Sequence, residues 1–143
     1  MRAALLALMT SGAGACVGTE DVTPEPVGDY TTWDKLETYG PAPGHGDTYR
    51  IIYINDVARR MGTATLGATL VKEVHDNAGG APGDLRVIEI MRKVRGGISV
   101  EDEGGWLFTA TDTPGGAETH TDTCWNRCHV AAPNSGVWFD YTK

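Results

Sequence analysis

Four stretches of the chain read as strands, and in three of them the side chains are assigned to two faces at a period of two. Residues 48–55 set Arg50, Ile52 and Ile54 on one face and Tyr49, Ile51 and Tyr53 on the other. Residues 68–75 set Ala68, Leu70, Lys72 and Val74 against Thr69, Val71, Glu73 and His75. Residues 85–94 group Ile88, Ile90 and Val94, and residues 105–111 supply a fourth strand through Trp106, Leu107 and Phe108. The glycine-rich turns between them, 76–84 and Gly96-Gly97, are short, so successive strands are expected to pair antiparallel.

A different spacing appears twice. Over residues 30–39, Trp33, Leu36 and Tyr39 recur every three residues behind a cap at Thr31 or Thr32, which predicts a short amphipathic helix. Asn55-Asp56 starts a second short helix that runs through Val57 to Met61 and is closed by Gly62. The segment from Gly40 to Gly46 reads as a loop with His45 in solvent. The fold class expected is mainly β, an antiparallel sheet with a few short helices.

Composition narrows this to one domain. At 143 residues the chain can bury a core of its own, and its 19 glycines and seven prolines favour turns and short elements over a helix bundle. Residues 1–15 carry one charge, Arg2, then an apolar run from Ala3 to Met9 and small residues up to Cys16, the pattern of an export signal too short to span a bilayer. Ala13-Gly14-Ala15-Cys16 resembles a bacterial lipoprotein cleavage site, which would leave Cys16 as a lipidated amino terminus anchoring the protein to a membrane; ordinary signal-peptide cleavage nearby is the alternative. Residues 16–29 are acidic and proline-containing and read as a flexible tether to a domain over 30–143. Loss of residues 1–15 leaves 11 basic against 19 acidic side chains, a net charge of −8, so nucleic acid is not an expected partner. An exported protein, periplasmic or lipid-anchored, is expected.

The candidate chemistry sits near the carboxy terminus in Cys124-Trp125-Asn126-Arg127-Cys128-His129. Two thiols followed at once by an imidazole is the arrangement that attaches a c-type haem: each sulfur bonds a vinyl group and the histidine ligates the iron. Three residues separate the cysteines where two are usual, yet residues four apart on a helical turn still share a face. A local Cys124–Cys128 disulfide, or zinc held by Cys124, Cys128, His129 and His120, are the alternatives. Two charged residues stand among apolar neighbours. Arg50 either snorkels to water from a strand end or enters a cofactor pocket. Lys72, judged on its strand alone, faces water; turned inward, its amine would be desolvated and nucleophilic. Met91 reads as core filler or a second axial ligand. Asp112, Glu118, His120 and Asp122 lie on a polar approach to the haem motif, where a carboxylate or imidazole could overhang the iron.

Together these residues resemble the cytochrome P-460 family, which includes the cytochromes c prime beta. The resemblance runs from about Trp33 to Tyr141. It rests on Arg50-Ile51-Ile52-Tyr53-Ile54-Asn55, on Gly67-Ala68-Thr69-Leu70-Val71-Lys72-Glu73, on Met91-Arg92-Lys93 followed by Gly105-Trp106, and on the Cys-His motif continued by Ala131-Ala132-Pro133 and Val137-Trp138-Phe139. It implies a mainly antiparallel β fold, usually homodimeric, with a covalent haem c packed against the sheet through Cys124 and Cys128 and its iron on His129. It also implies that Lys72 is cross-linked to the porphyrin, that Arg50 lies near the distal pocket, and that Glu118 is the nearest match to an acid that assists proton transfer. Members with the lysine link oxidise hydroxylamine, with nitric oxide, to nitrous oxide; members without it bind nitric oxide. The partners implied are those small nitrogen ligands and an electron-accepting cytochrome. A nitric oxide binder and an electron-transfer cytochrome remain the alternative functions.

Overall fold

Pairing between neighbouring strands dictates the architecture. The computed structural model describes residues 24–96 and 100–142. One antiparallel sheet runs in chain order: β1 (Asp34–Ala42), β2 (Gly46–Ile54), β3 (Thr69–Asn77), β4 (Pro82–Lys93), β5 (Trp106–Thr111) and a short β6 (Thr119–His120). Helix α1 (Asp56–Met61) follows β2, and helix α2 (Thr123–Arg127) follows β6. Each strand pairs with its neighbour in sequence; tight turns join β1 to β2 and β3 to β4, whereas α1 lies between β2 and β3. At the β3–β4 turn the Asn77 side chain accepts from the Gly80 amide at 2.8 Å and Ala78 donates to the Ala81 carbonyl at 2.9 Å. Only four residues turn the chain there, and both strands extend into the stretch that composition assigned to loop.

The two faces of the sheet carry separate cores. On one, Tyr53, Val71, Ile88 and Ile90 pack with Tyr30. Glu73 shares this face and stays buried because three groups meet it: Tyr30 Oη donates at 2.8 Å, Tyr53 Oη at 3.2 Å, and His75 Nε2 lies at 3.3 Å. Burial and that carboxylate push the Tyr53 hydroxyl up to about 12. On the opposite face Ile52, Leu70, Met91, Trp106 and Phe108 pack beneath Ala58 of α1, Trp125 of α2 and the terminal residues Val137 and Tyr141. Asn55 caps α1 by accepting from the Ala58 amide at 2.9 Å, and Gly62 closes it with φ +91°, as the sequence predicts.

The helix expected over 30–39 does not form; its residues lead into and make up β1. All nine residues of that strand register with β2, and Tyr39 stacks on its partner Tyr49 with ring centroids 6.0 Å apart. A ten-residue isolated helix is marginal in water, whereas an edge strand gains a full ladder. The three-residue spacing was coincidental: Trp33 packs against Tyr30 before the strand begins, and Leu36 and Tyr39 are exposed. Pro41 is tolerated because β1 is an edge. The expected loop over 40–46 therefore shrinks to a turn at Pro43-Gly44-His45, with Gly44 at φ +76°.

The described part of the expected tether, 24–29, is engaged with the sheet. The Val27 amide donates to Glu118 at 2.9 Å, and Arg92 reaches the Glu25 carbonyl at 3.4 Å. The expected signal over 1–15 and the candidate lipid site Cys16 lie outside the described residues. Among those described, no helix is long and apolar enough to cross a membrane.

Candidate functional site

Helix α2 resolves the unusual cysteine spacing. Its backbone closes on itself from the Cys128 amide to the Cys124 carbonyl at 3.3 Å, so the two cysteines stand one turn apart. Both line a cavity of about 400 Å³ against the Trp106-bearing face of the sheet, while Trp125 turns the other way into the core and meets Phe108 at 6.2 Å. Burial pushes the Cys124 thiol up to about 11, and both thiols are free. The disulfide alternative is therefore not what the structure contains. Zinc also finds no support: among the described residues no group of three or more His, Cys, Asp or Glu side chains could hold a metal ion, and His120 is exposed on β6.

His129 follows in a single 3-10 turn, His129–Ala131, and enters the same cavity. Its Nδ1 lies 2.7 Å from the Gly136 carbonyl, which can only accept, so Nδ1 carries the proton and the Nε2 lone pair is free for a metal. Burial, outweighing that hydrogen bond, holds the imidazole below its usual pKa and neutral at pH 7. The Phe108 ring, 5.1 Å from it, fixes its plane against β5.

The cavity is mainly apolar, with its charged groups gathered on one wall. Lys72 of β3 faces inward, beside Leu70, which settles the choice its strand left open. Its Nζ lies 2.5 Å from Glu89 Oε2 and 2.8 Å from His45 Nε2. Arg50 of β2 is 7% exposed and also lines the cavity. Its Nη1 donates to the Gly40 carbonyl at 3.0 Å and to Thr48 Oγ1 at 2.7 Å, and among the described residues no carboxylate pairs with it. A guanidinium buried without a counter-ion fits a ligand that brings carboxylates of its own, as haem does through its propionates. Two thiols and a lone-pair imidazole on one wall complete a donor set that fits a c-type haem.

Glu118 lies elsewhere. It sits on the opposite face of the sheet, where Arg92 grips it through Nη1 and Nη2 at 2.6 Å each and Thr109 Oγ1 donates at 2.5 Å. The reason is alternation: Arg92 and Thr109 point away from the face that Met91 and Phe108 share. The carboxylate the structure brings to the cavity is Glu89, which sequence reasoning missed. A signal existed, since Glu89 is the register partner of Lys72 and follows the same alternation as Met91. His45 was also missed: it is expected in solvent but lines the cavity, and its place depends on β1 being a strand. Met91 is 8% exposed, packed in the core and lining the cavity.

Comparison with curated proteins gives no match. The family described as Cytochrome P460 matches residues 27–140, a span that contains the sheet, both thiols, His129 and Lys72. With four-fifths of its length covered by that match, the chain belongs to the cytochrome P-460 family and is a c-type haem protein with iron.

Proposed function

We propose that this cytochrome oxidises hydroxylamine, together with nitric oxide, to nitrous oxide, at a haem held by thioethers to Cys124 and Cys128, with His129 as iron ligand and Lys72 joined to the porphyrin. The observation that carries the reading is the inward Lys72, whose Nζ is fixed between Glu89 and His45 inside the cavity that both thiols line. Bound through Cys124, Cys128 and His129, haem would supply iron for a small nitrogen ligand and an acceptor for the electron released. The overall change, NH2OH + NO → N2O + H2O + H+ + e−, also sheds a proton, and Glu89 is the carboxylate placed to take it. Arg50 supplies positive charge for a propionate or for another anion in the cavity. The leader-like residues 1–15 support an exported, periplasmic or lipid-anchored location, with the electron passing to an electron-accepting cytochrome.

The test is turnover of the purified haem protein with hydroxylamine and an artificial electron acceptor, nitrous oxide being followed with and without nitric oxide. Electron transfer and nitrous oxide production are expected, and Glu89→Gln is expected to lower kcat by about 10²-fold or more. Binding of nitric oxide with no turnover would support a binding or scavenging cytochrome of the c prime beta type, which the apolar lining also suits. An electron carrier rests on Met91, which lines the same cavity, and predicts six-coordinate iron with no response to hydroxylamine.

A further inference from the structure

The β1–β2 turn carries an imidazole that the proposed reaction has not yet used. His45 sits at the tip of this turn, its amide held by the Ala42 carbonyl at 3.1 Å, and its ring reaches down to the charged wall. Its Nε2 is 2.8 Å from Lys72 Nζ, and Glu89 Oε2 is 2.5 Å from the same nitrogen. His45 and Glu89 stand 3.9 Å apart, too far for a direct hydrogen bond. Lys72 therefore bridges them in one line, Glu89 to Lys72 to His45. Because an amine nitrogen bearing hydrogen is the donor to Nε2, the ring's own proton sits on Nδ1. The His45 side chain is 24% exposed, so this line reaches the surface at the turn.

We propose that His45 is the proton exit of the site. This rests on the hydroxylamine reading and deepens it. The proton taken by Glu89 passes to Lys72 Nζ while Nζ gives one of its own to His45 Nε2, and His45 releases its Nδ1 proton to water. One proton enters the line and one leaves it, with no net change of charge or oxidation state; His45 is left with its proton on Nε2, and exchange with water at the exposed ring returns it to the Nδ1–H form. His45 acts through Lys72 and Glu89, so it is a positioning and relay residue. It must be neutral to accept. Around it stand Lys72 on β3, Glu89 on β4, Arg50 on β2 and His129 beyond α2. Burial holds its imidazole below 6.5, with Glu89 opposing.

The discriminating variants are His45→Gln, which keeps an acceptor for the Lys72 N–H but cannot carry a proton, and His45→Ala, which removes both. In the haem-loaded protein, His45→Gln is expected to retain haem content, spectrum and KM for hydroxylamine while kcat falls about 10²-fold. The parent's loss of kcat as pH drops below 6.5 is expected to flatten in that variant. A second readout needs no turnover. Carbethoxylation by diethyl pyrocarbonate, located by peptide mass, should modify His45 of the parent more slowly than exposed His120 and should speed up at His45 in Lys72→Ala. Parental kcat and pH profile in His45→Gln, or a His45 modification rate indifferent to Lys72, would overturn the relay and leave the hydroxylamine reading standing. A parent that does not turn over hydroxylamine overturns both.

Discussion

Lys72 and Glu118 show how far a single charge can be placed from sequence. Both stand in alternating or polar stretches, yet one is drawn into the cavity that both thiols line and the other is clamped on the far face. Glu89→Gln should therefore cost turnover, whereas Glu118→Gln should cost stability. Burial raises the Glu118 carboxyl, but Arg92, Thr109 and the Val27 amide outweigh it and hold it below the usual 4.5. A folded pKa below the unfolded one stabilises the protein fully above 4.5, and that stability drains as pH falls through the folded value. Removing one partner of this buried pair should cost about 3–5 kcal/mol near neutrality, and the acid unfolding limb below pH 4.5 should flatten. A denaturant midpoint unchanged between pH 3 and 7 relative to the parent would contradict it. Gly136 offers a second test, since its carbonyl orients His129, its φ is +88°, and an added Cβ would lie 3.0 Å from Trp106 Nε1. Gly136→Ala should cost about 1–3 kcal/mol and lower the iron–histidine stretching frequency in resonance Raman spectra. An unshifted band would separate Gly136 from the histidine.

At the scale of elements, period two proved a sound guide and period three did not. The strands β2, β3, β4 and β5 were legible because they lie between the two cores, and burial on both faces writes runs of β-branched, aromatic and other apolar residues into the sequence. β1 was not, because an edge strand with few buried residues has no such constraint, and Trp33, Leu36 and Tyr39 imitated a helix. That one error hid His45, whose position follows from the β1–β2 turn. The motif of two cysteines and His129 stood out by spacing, and the helical turn brings both thiols to one cavity although three residues separate them. Glu89 could have been found by pairing β3 with β4 in register or by its alternation with Met91, but nothing in its own strand marks a carboxylate that faces a cavity. The amino-terminal approach behaves as part of the sheet, since Val27 and Tyr30 pack into the second core. Tyr30→Phe removes a hydrogen bond to a buried carboxylate and should cost about 1.5–3 kcal/mol, read as a lowered denaturant midpoint with the haem spectrum unchanged. A spectral change would instead mean that the two faces are coupled through β3.

For the whole molecule, the sheet divides labour: one face buries Glu73 with its tyrosines, and the other carries the cavity lined by Cys124, Cys128, His129 and Lys72. A net charge of −7 adds a long-range field. Reduction of a cationic electron acceptor should slow as ionic strength rises and that of an anionic one should quicken. Equal salt responses for the two would exclude steering by charge. Residues 27–140 match the family, and the proposed oxidising activity turns on one bond, between Lys72 and the porphyrin. Peptide mapping of the mature protein by mass tests that bond directly. The account predicts a single haem joined to the peptides of Cys124, Cys128 and Lys72 together; haem on the two cysteines with the Lys72 peptide recovered unmodified would contradict it.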